Sequence, residues 1–188
     1  MARLKLRSER EALQRCEELR AEVRTALRGS PVDVEGVWHG EALGTLLWAL
    51  QLAELPPYDE PFSPQEVAAA ELQGGRLRDV EEIDLEREAA RLWHWRARTA
   101  DLQADDSTSL PQRYSSYEQL VASVAMRGYE QGFLPEPVRG DFRAYGADYR
   151  RLDPDRLDEA HAIAAERHHA LGWLVSPGAD WDRVPLDT

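Results

Sequence analysis

The chain has 188 residues and a single cysteine, Cys16, so no disulfide can close within it and no thiolate metal cluster can be built from one copy. It has a single lysine, Lys5, and arginine supplies the other 22 of its 23 basic side chains. Nearly every positive charge is therefore a planar fork suited to carboxylate partners. No long hydrophobic run is present. The most apolar stretch, 37–55, is interrupted by His39, Glu41, Thr45, Gln51 and Glu54, too many polar groups for a membrane span, and it reads as a core helix. HExxH, GxSxG, the phosphate-binding P-loop and paired-cysteine motifs are all missing, which excludes the classes of hydrolase and nucleotide-binding protein that depend on them. The lone pair Gly74 and Gly75 reads as a helix C-cap and turn rather than a phosphate cradle. No cofactor is expected. The basic start MARLKLRSER runs into a charged helix rather than an apolar leader segment, so a cytoplasmic protein is expected.

What is present suits one soluble domain with a real core: 43% hydrophobic and 31% charged residues in a chain too short for two large domains. The net charge of −12 is uneven, because residues 1–30 hold eight basic and five acidic side chains and the remaining 158 carry −15. Such an acidic body repels phosphate backbones and anionic lipid, so neither nucleic acid nor a membrane surface is an expected partner. A protein partner is the remaining macromolecular expectation.

Helix punctuation is legible along most of the chain. Ser8 and Glu11 form a capping box, and Ala12, Cys16, Leu19, Val23 and Leu27 recur at three- and four-residue steps until Gly29. That stripe can bury within the domain, the commoner outcome, or against a second copy, which leaves a homo-oligomer through this N-terminal helix open. Cys16 lies in the stripe and reads as a small buried hydrophobe. A second helix over 34–55 is apolar almost all round, is stopped by Pro56 and Pro57, and should be central. Its Gly36, Gly40 and Gly44 each cost about 1 kcal/mol of propensity, which close approach of another helix to the bare ridge would offset. Ser63, Pro64 and Glu66 open a short helix to about Gln73. A longer helix turns near Asp79, restarts at Asp84, and points Leu85, Ala89, Leu92, Trp93 and Ala100 inward. Residues 103–115 read as an exposed loop, and Ser115 with Glu118 caps a further helix. Segment 138–149 is a small hairpin or a packed loop carrying Phe142, Tyr145 and Tyr149. Asp153 and Pro154 start the last helix, and the tail 176–188 should pack on the core through Trp181. The fold class is mainly α: a single-domain orthogonal bundle of about six helices with at most one small β-hairpin.

Two clusters could carry chemistry. Glu41 shares a helix face with Thr45, Trp48 and Leu52, so its carboxylate should be at least half buried and needs a partner among Arg87, Arg96, Arg98 and Arg167. It is either an internal ion pair or a general base of raised pKa. If Glu41, Glu166, Arg167, His168 and Trp173 line one pocket, alanine at Glu41 should abolish ligand binding without lowering stability. The last helix also carries Asp158, His161, Glu166, His168 and His169. Glu166 and His169 form the Glu-x-x-His half of a carboxylate-bridged dinuclear site, but no second such pair occurs to face it, so no metal is expected. The tryptophans at 38, 48, 93, 95, 173 and 181 suit core packing better than an aromatic pocket.

Three blocks, GEALGTLLWAL at 40–50, LRDVEEIDLEREAARLWHWRAR at 77–98 and the ending ERHHALGWLVSPGADWDRVPLDT at 166–188, resemble in the same order the family called domain of unknown function 4272. The resemblance spans roughly residue 38 to the end, with an insertion between Asp105 and Asp153, and that family has no established reaction. The resemblance implies a shared site or buried ion network among the polar positions Glu41, Arg78, Asp84, Arg87, Glu166, Arg167, His168, Asp182 and Asp187. Combined with Trp173, a candidate pocket of Glu41, Arg87, Glu166, Arg167, His168, Trp173, Asp182 and Asp187 follows. The leading expectation is a non-catalytic interaction module; the alternative is a small enzyme or ligand-binding protein, possible metal dependence included.

Overall fold

The computed structural model describes residues 4–29, 33–104, 110, 113–184 and 186. Among them are six α-helices and one two-stranded antiparallel sheet, so the protein is mainly α with a small hairpin. Helix α1, Glu9–Arg28, starts at the Ser8 capping box and presents Ala12, Cys16, Leu19, Val23 and Ala26 to the interior. Helix α2, Val34–Ala49, is exposed at its first turn and buried on every side from Gly40 to Leu47, with Glu41, Leu43, Thr45, Leu46 and Leu47 all inaccessible or nearly so. Helix α3, Pro64–Ala69, is capped by Ser63 and has proline in its first turn. Helices α4, Val80–Ala104, and α5, Tyr117–Glu130, follow, then strands β1, Arg143–Ala144, and β2, Ala147–Asp148. Helix α6, Pro154–Leu174, opens with Asp153 accepting the Arg156 amide, a carboxylate cap at the positive end of the helix. Three-residue 3₁₀ turns occupy Tyr149–Arg151 and Trp181–Arg183.

The centre of the molecule is the pair α2 and α6. Helices α1 and α3 pack on α2, α4 packs on α6, and α5 leans on α4. One continuous hydrophobic core runs through all six helices and the hairpin. The stripe of α1 is consumed inside this core, the intramolecular one of the two outcomes open to it. Cys16 is fully buried, and burial pushes its thiol up to about 12, so it behaves as an apolar side chain.

Three boundaries differ from the sequence-based expectation. Helix α2 stops at Ala49 rather than near Leu55, because Gln51 takes a left-handed φ of 59°. The amides of Leu52 and Gln51 then fold back to the carbonyls of Leu47 and Trp48 in a Schellman cap. Glycine is the usual signal for this stop; with glutamine in its place, the prolines look like the terminator. The freed carbonyls of Leu50 and Ala49 accept from the Arg76 and Arg78 amides instead. Helix α4 is unbroken from Val80, and Leu85 is 55% exposed rather than inward, since Ile83, Ala90, Trp93 and Ala97 form the buried stripe. Helix α3 ends at Ala69, short of Gln73. Of the expected loop 103–115, residues 103 and 104 belong to α4, while 105–109, 111 and 112 lie outside the described residues, as do 185, 187 and 188 of the tail.

The bare ridge of α2 meets three different neighbours rather than one helix. A methyl at Gly36 would run into Ala26 of α1 and the Asp33 carboxylate, one at Gly40 would rest against Pro64, and one at Gly44 would enter the Phe62 ring at 2.4 Å. Gly44→Ala should therefore destabilise by about 1–3 kcal/mol by overpacking. Gly40→Ala, with its nearest neighbour at an ordinary 3.5 Å, should be neutral or stabilising by a few tenths up to about 1 kcal/mol. Urea unfolding of the two variants measures the contrast.

Candidate functional site

Residues 166, 167 and 168 are consecutive on α6, so their side chains leave the helix about 100° apart. They cannot converge on one pocket, and each finds a separate environment. Arg167 points inward and is fully buried. Its Nε donates to Glu41 Oε2 at 3.0 Å, Nη1 to the carbonyls of Pro56 and Pro57 at 2.7 and 3.2 Å, and Nη2 to the Glu60 carbonyl at 2.9 Å. The guanidinium also lies 4.8 Å from the Tyr58 ring centre. Glu41 Oε1 accepts the Phe62 amide, so both carboxylate oxygens are used. Burial raises the Glu41 carboxyl, and Arg167 opposes that rise most strongly. The ion-pair reading of Glu41 is what the geometry supports: Nε and Oε2 join the pair, and its other polar atoms serve the 56–62 segment.

That segment carries the effect outward. Tyr58 stacks on Trp93 of α4 at 5.4 Å and donates to Glu86 at 2.7 Å, while the Asp59 carboxylate accepts the Tyr145 amide at the hairpin turn. One guanidinium thus fixes α6, α2, α4 and the hairpin relative to one another.

His168 faces α4, where its Nδ1 lies 3.0 Å from Nδ1 of His94. Both rings are buried, so one nitrogen must donate and the other accept, which requires the acceptor ring to be neutral. Burial lowers both to about 4; His161 and Arg98 add to the effect at His94, and His94, Arg87, Arg91 and His169 at His168. His94, flanked by Trp93 and Trp95 in an arginine-rich helix, carried no sequence signal that would single it out. Among the described residues no group of three or more His, Cys, Asp and Glu side chains is placed to hold a metal ion.

Glu166 turns the other way, toward His39 near the start of α2. Burial pushes its carboxyl from 4.5 up to about 7; His39 opposes the rise, and the like charges of Glu41 and Glu35 add to it. His39 Nδ1 is 2.9 Å from Glu22 Oε2 of α1, but off the line that a hydrogen bond needs.

The remaining expected positions are dispersed. Arg87 pairs with Asp84 and Glu88 of its own helix at 2.8 Å each. Arg78 caps α2 through the Trp48 carbonyl. Trp173 lies under the Arg7 guanidinium, 4.2 Å from its ring centre, and meets Trp181 edge-on at 5.4 Å. Arg7 also donates to the carbonyls of Trp173, Ser176 and Ala179, which ties the start of the chain to its last turns. Asp182 is exposed, and Asp187 lies outside the described residues. Among the described members of the candidate pocket, the hydrogen-bonded ion pair is that of Glu41 and Arg167. No protein-family model, no curated protein and no solved structure matches the chain.

Two outcomes follow for stability. Glu41→Ala leaves a buried guanidinium without its counter-charge and should cost about 3–5 kcal/mol in guanidinium chloride unfolding, opposite to the unchanged stability that a ligand pocket would give. For Glu166, the folded state holds a proton up to about pH 7 while the unfolded chain releases it near 4.5. Stability therefore falls as pH rises from 4.5 to 7, by up to about 3 kcal/mol. Glu166→Gln should stabilise at pH 8 and change little at pH 4.5. Unfolding midpoints across this range decide it, and an equal effect at both ends would remove Glu166 as the source.

Proposed function

We propose that the protein is a non-catalytic, cytoplasmic interaction module that receives a basic segment of a protein partner in the groove between α1 and α2. The observation that carries this reading is a groove of about 610 Å³ whose apolar wall includes Ala21, Ala26 and Gly36 and whose rim bears Glu22, Asp33 and Glu35. Val34, 66% exposed beside Glu35, extends the apolar surface. An apolar floor within an acidic rim suits an arginine- or lysine-bearing segment with an apolar anchor, and the acidic body steers it there. The interior Glu41, Arg167 and His168 are already committed to internal partners. No helix among the described residues is long and apolar enough to cross a membrane.

Membership of the domain of unknown function 4272 family belongs to the same proposal. Its support is that the three motif blocks fall mainly on α2, α4 and α6 with the tail, and these pack into one core. The shared positions are then mostly those that hold the fold.

A decapeptide alternating arginine and leucine tests the groove by isothermal titration calorimetry. Saturable one-to-one binding is expected, weakened about fivefold or more by Glu22→Gln/Glu35→Gln. The exposed pair Asp180→Asn/Asp182→Asn should leave it unchanged. Equal loss in both double variants would mean diffuse charge attraction and would overturn the reading.

A further inference from the structure

Far along the chain from the acidic groove, the sign of the local charge reverses. The second half of α4, the first turns of α5, the 138–141 turn and the 3₁₀ turn Tyr149–Arg151 enclose a cavity of about 270 Å³ lined by Arg96, Arg139 and Arg150, with Gln103, Gln119 and Ala122 among its other walls. Arg96 is 1% exposed and Asp141 2% exposed. Arg96 Nε donates to Asp141 Oδ1 at 2.7 Å and Nη2 to Oδ2 at 2.9 Å, a bidentate fork. Asp141 Oδ1 also accepts the Phe142 amide at 2.7 Å and Oδ2 the Arg150 amide at 3.0 Å. A carboxylate has about four acceptor positions, and all four are filled.

The third nitrogen of Arg96, Nη1, is buried and has no acceptor. A buried guanidinium donor without an acceptor is costly; the one carboxylate partner is saturated and the guanidinium otherwise lies over the Tyr149 ring, 4.6 Å from its centre, so an incoming acceptor would relieve that cost. The other charges favour an anion. Arg139, Arg150 and Arg151 gather round the buried Asp148, at 3.8, 3.0 and 3.5 Å, leaving more guanidinium than carboxylate there. Glu118, the remaining acid in the cavity wall, is held below its ordinary range first by a hydrogen bond to its own backbone and then by Ser116, so it keeps its negative charge, and with Asp141 it faces the three guanidinium groups of Arg96, Arg139 and Arg150. Arg139 and Gly140 are both left-handed, at φ 51° and 75°, in the two-residue turn closed by the Val138 and Asp141 bridge. Asparagine would take the first of these positions more cheaply, and arginine there sets a guanidinium at the cavity.

We propose that this cavity binds a small oxyanion, the carboxylate or phosphoryl group of a low-molecular-weight ligand, through Arg96 Nη1 with Arg139 and Arg150. The size admits an anionic head group with a short appendage. The site is separate from the groove between α1 and α2, and the two readings stand or fall independently.

Calorimetric titration of the full chain with inorganic phosphate and, separately, with succinate tests the proposal. Saturable one-to-one binding of at least one is expected, and whichever binds more tightly names the head group. Arg139→Gln, at a side chain 58% exposed where substitution leaves the core untouched, should weaken binding about tenfold or more. Ala122→Leu fills the cavity without altering a charge and should abolish binding, with the circular dichroism spectrum retained. Failure of both anions to bind, or binding that survives both substitutions, overturns the proposal.

Discussion

The constraint on which the architecture depends is the Arg167 guanidinium. A charge this deeply buried is tolerable only when its donors are used, and here they go to one carboxylate and three backbone carbonyls of the 56–62 segment. Two of those carbonyls belong to consecutive prolines, residues that lack an amide and cannot join a helix or sheet ladder from within. The guanidinium supplies what secondary structure does not. Because Tyr58 and Asp59 in the same segment reach α4 and the hairpin, an irregular stretch becomes the joint of the molecule.

The same helix shows how one element serves three environments at once. Successive positions 166, 167 and 168 place a carboxyl of raised pKa near His39, a cation in the centre and a neutral imidazole against α4. The pH responses of the first and third oppose each other. Glu166 weakens the fold as pH climbs from 4.5 to 7, whereas His94 and His168, lowered to about 4, must accept protons in the unfolded chain first, so stability declines as pH falls from 6.5 toward 4. Between these limits the gains and losses partly cancel, which flattens the pH dependence of the core.

Charge is organised at two scales. The chain as a whole is acidic, and the groove between α1 and α2 concentrates that sign beside apolar surface. Around Asp141 and Asp148 arginine locally predominates. Average charge predicts the long-range field and long-range partners. It does not describe a pocket a few ångströms across, where Arg96 and Asp141 interact at hydrogen-bond distance.

Much of the fold is legible in the sequence. Ser8, Ser63 and Asp153 announce helix starts because capping is a local hydrogen bond, and the uninterrupted apolarity of α2 announces its central place because burial follows composition. Glu41 could be recognised as a buried carboxylate in need of an arginine. Its partner could not be chosen, since Arg87, Arg96, Arg98 and Arg167 are chemically alike and only the packing of α6 on α2 selects one of them. The early stop of α2 at Gln51, the outward turn of Leu85 and the meeting of His94 with His168 were equally hidden, each being settled by neighbours distant in the chain. The amino-acid order by itself determined the helices, their caps and which faces are apolar, because those depend on interactions within a few residues. Tertiary structure alone decided which charges pair, which histidines meet and where one guanidinium nitrogen is left without an acceptor, because those depend on which distant side chains the packed helices bring within about 3 Å.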